Sequence, residues 1–376
     1  MLATRNRASL DIGLRFLLAA LILGVPASNS IADSPLVVEE SFLKVDIRGR
    51  GYSLEALIVK PGGIAGRLPI ALIAHGSPRD GAERPKFRVR AKLPMARDLA
   101  HRGWLAIAFL RRGFGESQGA FAEGYKCSAP NFRQALATAA EDIEAVRVAV
   151  AKRPDADSAR VLGLGVSVGG ASMLTWAATH PEGLVGVVNL SGGTGASSPE
   201  RNCDEDGLVS AFASFGTRSR VPTLWLYAEN DSYFGPDLVR RLHVAFTQEG
   251  GKAKLSLFGP VGKDGHQLWS QFDGRMLWLP ALDQFLRAQG LPTWDPGSLE
   301  AIASRLKPQA RLVLASYLSA PTEKALSISR GKGLARFWGG AADLQTARQK
   351  SRELCEQDSA ERCDVLVEDF TLAASP

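Results

Sequence analysis

Several features that narrow a functional reading are scarce or missing in this chain. Its 376 residues include only four cysteines and five histidines. No two cysteines have C-x-x-C spacing and no helix is rich in histidine, so a structural or catalytic metal centre is not expected. No basic stripe interleaved with aromatics and no zinc-finger spacing occurs, which argues against a nucleic-acid partner. No apolar run approaches the ~20 residues that span a bilayer. Net charge is +6 with 22% charged and 45% hydrophobic residues, so neither an acidic tail nor a disordered composition is present.

What is there begins with a targeting pattern. Arg5, Arg7 and Arg15 precede an apolar run from Phe16 to Val25, Pro26 closes it, and Ser30-Ile31-Ala32 offers a small-x-small cleavage site. This is the layout of a secretory signal peptide, expected over 1–32. The arginines are not adjacent, which does not fit a twin-arginine signal, and no cysteine follows the site to take a lipid. Without that segment the net charge is about +4, only mildly basic. The expected protein is exported, periplasmic or secreted, with no stable membrane anchor once the signal is cleaved. In an oxidising compartment the even cysteine count predicts two disulfides among Cys127, Cys203, Cys355 and Cys363.

From about Leu36 to Gln289 short β-rich apolar runs alternate with helical periodicity. The strands are expected at 52–60, 69–75, 104–110, 160–165, 184–190, 222–228 and 253–258, and the clearest helices at 131–152, 168–180 and 236–248. Such alternation predicts an α/β domain over 33–289, a mostly parallel sheet with helices on both faces. Residues 290–308 read as a linker holding a short helix near 298–306. Residues 309–376 read as a small C-terminal α/β module, with strands near 324–329, 334–338 and 364–368 and a helix at 342–356. The alternative is an extension packed on the main domain.

The strongest motif is Gly165-Val-Ser167-Val-Gly169-Gly170, a G-x-S-x-G between a predicted strand and a predicted helix. A sharp turn there presents a serine hydroxyl at the strand's end, with the new helix N-terminus facing the reacting centre. A dinucleotide fingerprint fits less well, because its third glycine would fall on Val168. Ser167 is therefore the candidate nucleophile and the Val168 N–H a candidate oxyanion donor. In the α/β-hydrolase fold the triad runs serine, acid, histidine. Of the five histidines only His266, in a glycine-rich loop after the last strand, fits that order. The acid follows the strand 222–228, where Glu229 and Asp231 compete. Asp231, farther into the loop, is better placed to reach the histidine. The second oxyanion N–H is expected from the His75-Gly76-Ser77-Pro78 turn. Pro78 has no N–H, which leaves Ser77 first and Gly76 second.

Five motifs in order, Ile73-Ala-His-Gly76, Arg111-Arg-Gly-Phe-Gly-Glu-Ser-Gln-Gly119, Gly165-Val-Ser-Val-Gly-Gly170, Tyr227-Ala-Glu-Asn-Asp231 and Asp264-Gly-His266, resemble the dienelactone-hydrolase-like branch of the α/β hydrolases. The resemblance spans roughly 45–289. It implies ester or lactone hydrolysis of a small-molecule substrate with no metal and no organic cofactor. Members named for dienelactone cleavage use a cysteine where this chain has Ser167, which favours a general serine esterase. The tail resembles small cysteine-bearing modules found on exported bacterial proteins. Two other readings stand beside the esterase: a serine peptidase of the prolyl-oligopeptidase type, whose N-terminal propeller has no room here, and a non-catalytic envelope binding protein on a hydrolase fold. Two further expectations concern loops. Cys127 and Cys203 follow different strands at the sheet edge that presents Ser167, so a bridge between them, closing a lid and wall, is expected, with Cys355–Cys363 in the tail; pairings crossed between the two modules are the alternative. The basic stretch Arg79, Arg84, Lys86, Arg88, Arg90 and Lys92 reads as a solvated charged face, with steering of anionic substrates as the alternative.

Overall fold

The structure is a computed structural model that describes residues 35–293, 301–311, 313–320 and 323–373. The expected signal peptide and part of the expected linker lie outside the described residues, and of the short helix expected near 298–306, residues 301–304 are helical.

The main sheet has eight strands. β1 (Leu36–Ile47) and β2 (Arg50–Pro61) form a hairpin. They are followed by β3 (Leu68–Ala74), β4 (Leu105–Phe109), β5 (Ala156–Val166) and β6 (Leu184–Leu190). A short hairpin of β7 (Ala196–Ser198) and β8 (Arg201–Asn202) stands apart, and β9 (Thr223–Ala228) and β10 (Ala253–Phe258) complete the sheet. The order is β1-β2-β4-β3-β5-β6-β9-β10. β1 and β2 run antiparallel, as do β2 and β4, and every later pairing is parallel. This is the α/β-hydrolase fold.

Alternation along the strands explains the two helical layers. Ile70, Leu72 and Ala74 of β3 join an apolar cluster with α2 (Phe132–Ala151), α3 (Val168–Ala177), α4 (Glu205–Arg218) and α5 (Pro236–Gln248). Ala71 and Ile73 point the other way, into a cluster with α1 (Leu93–Ala100) and α6 (Phe272–Ala288). Both faces are covered, so β3 to β6 read as continuous apolar runs in the sequence. β1 was not expected as a strand. Its outer half, with Glu39 and Glu40, is exposed at the sheet edge, and only Ser41 to Ile47 alternates between the two faces, so no buried run marks it. Charged side chains of this kind also guard an edge against pairing with another chain.

The tail forms a separate four-stranded antiparallel sheet, with strands Ala325–Ser329, Ala335–Trp338, Cys363–Glu368 and Thr371–Leu372. Helix Leu344–Ser359 packs on it, and Cys355 and Cys363 are bonded. The module has its own apolar cluster, including Leu306, Tyr317, Leu326 and Val367. It also touches the main domain: helix Leu314–Ser319 lies against α1 and α6, and Phe370 packs 4.8 Å from the His101 ring. The eight-residue separation of its two cysteines corresponds to ~2.6 kcal/mol of stabilisation in the chain-entropy account, useful to so small a core.

Candidate active site

Ser167 sits between β5 and α3 with φ 54 and ψ −124. A non-glycine residue at positive φ is strained, and such strain persists only where the surroundings impose it. Here the neighbours are glycines because side chains have no room. A Cβ on Gly169 would stand 2.5 Å from the carbonyl oxygens of Ala74 and His75. One on Gly165 would run into Gly169, and one on Gly170 into Asn189. Gly76 lies as close from the β3 side: its Cβ would be 3.0 Å from the Ser167 Cβ. The β3 and β5 turns are thus pressed together, which places the Gly76–Ser77 turn and the first residue of α3, Val168, around one serine.

His266 and Asp231 are brought together across the ends of β9 and β10. His266 Nδ1 donates to Asp231 Oδ1 at 3.0 Å and Oδ2 at 3.1 Å. A carboxylate only accepts, so the proton sits on Nδ1 and Nε2 is left as the acceptor. The Asp231 carboxylate also accepts from the backbone N–H of Tyr233 and Phe234, at 2.9 and 3.0 Å. It is only 5% exposed. Glu229, the competing acid, is exposed at the end of β9. Ser167 and His266 line the same cavity of about 610 Å³, together with Gly76, Ser77 and Val168. No direct hydrogen bond joins Ser167 to His266 here; catalytic contacts of this kind often tighten only around a substrate.

Asp264 and Asn230, which fall within two of the five motifs, join the Asp231 and His266 loops into one unit, a role the sequence does not show. Asp264 accepts from the His266 N–H at 2.9 Å, the Ser232 N–H at 3.1 Å and the Ser232 hydroxyl at 2.9 Å. Burial alone would raise its pKa, but these donors outweigh burial and hold the carboxyl below its ordinary range. Asn230 Oδ1 accepts from the Val261 N–H at 2.8 Å, and its carbonyl accepts from the Gly265 N–H at 3.0 Å. Beyond the motifs, the only sequence signal was the run of polar residues flanking each triad candidate.

A second support holds the Gly76–Ser77 turn. His75 is fully buried between Phe87 and Phe114. Its Nδ1 donates to the Gly76 carbonyl at 2.5 Å and its Nε2 accepts from the Arg111 N–H at 3.1 Å. Burial first, then the charge of Arg111, pushes the His75 pKa well below its ordinary value, so the ring is neutral. The Arg111 guanidinium donates to the His75 carbonyl at 2.7 Å and is itself paired with buried Glu123. Motif reading found Arg111 but no role for it, and did not find Glu123.

The cavity wall carries one cysteine of a bonded pair. Cys127 and Cys203 are bonded, 76 positions apart in sequence. Cys127 lines the cavity with Tyr125 and residues Gly193 to Ser197. Tyr125 Oη accepts from the Gly195 N–H at 2.8 Å and shares a hydrogen bond with Thr194 at 3.0 Å. The loops after β4 and β6 are therefore tied twice. The bridge is worth ~4.5 kcal/mol in the chain-entropy account. Cys203→Ser is expected to lower the thermal midpoint and to raise KM for ester more than it lowers kcat, because the wall loosens while the triad candidates stay in place. Differential scanning calorimetry with steady-state kinetics checks both; an unchanged KM would show that the bridge does not shape the pocket.

Among the described residues no group of three or more His, Cys, Asp or Glu side chains is placed to hold a metal ion, and no helix is long and apolar enough to cross a membrane.

Residues 90–202 match the model of the serine aminopeptidase S33 family. No curated protein matches the chain. Among solved structures, a putative dienelactone hydrolase from Klebsiella pneumoniae is 20% identical, with 62% of this chain and 89% of that one covered and a TM-score of 0.44. Est1E from Butyrivibrio proteoclasticus, with ferulic acid bound, is 18% identical over 66% of this chain and 98% of that one, with a TM-score of 0.47. An acylaminoacyl peptidase is 15% identical over 69% and 42%, with a TM-score of 0.49. The assignment of the fold rests on the strand order. The chain has the α/β-hydrolase fold.

Proposed function

We propose that the chain is an exported serine hydrolase that cleaves a carboxylic ester or lactone. The observation that carries this reading is His266, held by buried Asp231, sharing one cavity with a strained serine on a glycine-lined turn. In this reading Ser167 Oγ attacks the acyl carbonyl as its proton passes to His266 Nε2. The N–H groups of Val168 and Ser77 hold the oxyanion. The alcohol leaves with the proton from His266, and water then releases the acid by the same steps in reverse order. Asp231 fixes the imidazole tautomer and stabilises the imidazolium. No metal or organic cofactor takes part. The two disulfides support export, and the expected signal peptide supplies its route.

The family match makes an aminopeptidase the second reading. An aminopeptidase must accept a free α-amino group, which has pKa ~8 and is largely cationic at neutral pH. The carboxylate lining the cavity, Glu123, is engaged by Arg111, while Arg79, Arg84 and Lys92 line the same space. Like-charge juxtaposition costs several kcal/mol, so the cavity's charge favours the ester. Across a panel of 4-nitrophenyl esters and aminoacyl 4-nitroanilides, the best ester is expected to exceed the best anilide by roughly a hundredfold or more in kcat/KM, equivalent to ~2.8 kcal/mol. Faster anilide cleavage would reverse the order of the two readings.

A further inference from the structure

The six cations of the stretch 79–92 divide into two sets. Lys86 pairs with Glu83, Arg90 pairs with Glu40, and Arg88 donates to the carbonyls of Pro85 and Phe87. These three behave as the solvated face expected from the sequence. Arg79, Arg84 and Lys92 instead line the cavity that holds Ser167. None of them has a carboxylate within ion-pair distance among the described residues. Arg79 lies over the Tyr233 ring at 5.4 Å and Arg84 over the Phe121 ring at 3.8 Å, and both rings belong to the cavity wall.

Lys92 departs furthest from a surface residue. It is 8% exposed, and its ammonium stands 3.6 Å from the Trp269 ring centroid. Burying a cation without a counter-charge is unfavourable, and a ring face offsets only part of the loss of water. Burial, and then the charge of Arg111, lowers its pKa to about 8, so most of it is still protonated at neutral pH. The carboxylate that lines the cavity, Glu123, is held by Arg111. Among the described residues no carboxylate pairs with Lys92, and the aromatic wall beside it suits an apolar body.

We propose that Lys92, with Arg79 and Arg84 at the wall, binds an anionic group of the substrate, so that the preferred ester carries a carboxylate on an apolar body. Lys92 then acts as a specificity residue. It takes no part in the acyl transfer, and its own desolvation is offset only when the anion is bound. This rests on the serine-hydrolase reading and deepens it.

Two isosteric pairs test it. One is the 4-nitrophenyl monoester of adipic acid against that of adipic monoamide, with the charge on the acyl side. The other is the acetyl ester of 4-hydroxybenzoate against that of 4-hydroxybenzamide, with the charge on the alcohol side. In at least one pair the charged ester is expected to lead by about tenfold in kcat/KM. Lys92→Met is expected to bring that ratio close to one, and Lys92→Arg to keep most of it. Fluorophosphonate labelling checks that each variant is folded and competent; if Lys92→Met is not labelled, Lys92→Gln takes its place. Wild-type ratios near one in both pairs, or a preference that the Lys92 variant retains, would overturn the inference while labelling of Ser167 leaves the serine-hydrolase reading standing. No labelling and no hydrolysis of any of the four esters would overturn both.

Discussion

Ser167→Ala is expected to lower kcat/KM for a chromogenic ester by ~10⁵–10⁶, to the level set by binding and the oxyanion donors alone. The fold should lose almost nothing. The serine's hydroxyl faces the cavity and has no hydrogen-bond partner among the described residues. Alanine keeps the Cβ, so the strained turn at φ 54 is neither relaxed nor worsened. Its backbone contacts, with Ser167 N–H donating to Leu190 at 3.0 Å and its carbonyl accepting from Gly170 at 2.9 Å, do not involve the side chain. A melting temperature within about 2 °C of wild type, alongside the loss of activity, separates chemistry from folding. Residual activity above a few per cent would mean that another group is the nucleophile.

Asp231→Asn should be nearly as severe, with an expected loss of ~10⁴ in kcat, by analogy with the same change in serine proteases. The cause lies in donor and acceptor roles. The asparagine carbonyl can still accept from the Tyr233 and Phe234 N–H groups, which bond to Oδ1 here. Its amide then faces His266 Nδ1, a donor meeting a donor. The ring responds by moving its proton to Nε2, the atom that must accept from Ser167. The carboxylate that would stabilise the imidazolium is lost at the same time. Glu229→Gln, at an exposed position off this network, should stay within about twofold of wild type. If Glu229→Gln is the crippling change and Asp231→Asn the mild one, Asp231 is not the acid. Kinetics of both variants on one ester, with a melting curve for each, decides it.

How far the sequence could be read depended on how local each signal was. The buried strands β3 to β6 and β9 announced themselves because both faces are covered. The helices α2, α3 and α5 showed clear periodicity. β1 was hidden by its charged, half-exposed edge position. The serine turn was legible because steric crowding allows only glycine at its flanks. His266 came from chain order and scarcity, and Asp231 from its place in a loop. The supports were not legible, because each depends on distant pieces of chain meeting in space: Asp264 with Ser232, Asn230 with Val261, Arg111 with His75 and Glu123. Lys92 illustrates the same limit. In the sequence it is one of six neighbouring cations, and only the path of the chain separates those turned to solvent from those turned to the cavity.

The most direct test is to label the wild-type protein with a fluorophosphonate, digest it, and locate the adduct by mass spectrometry. One adduct is predicted, on Ser167. It should be absent in Ser167→Ala and form far more slowly in His266→Ala, because the hydroxyl is then without its base. Ester hydrolysis that proceeds with Ser167 unlabelled, or an adduct on a different serine that abolishes activity, would contradict the account.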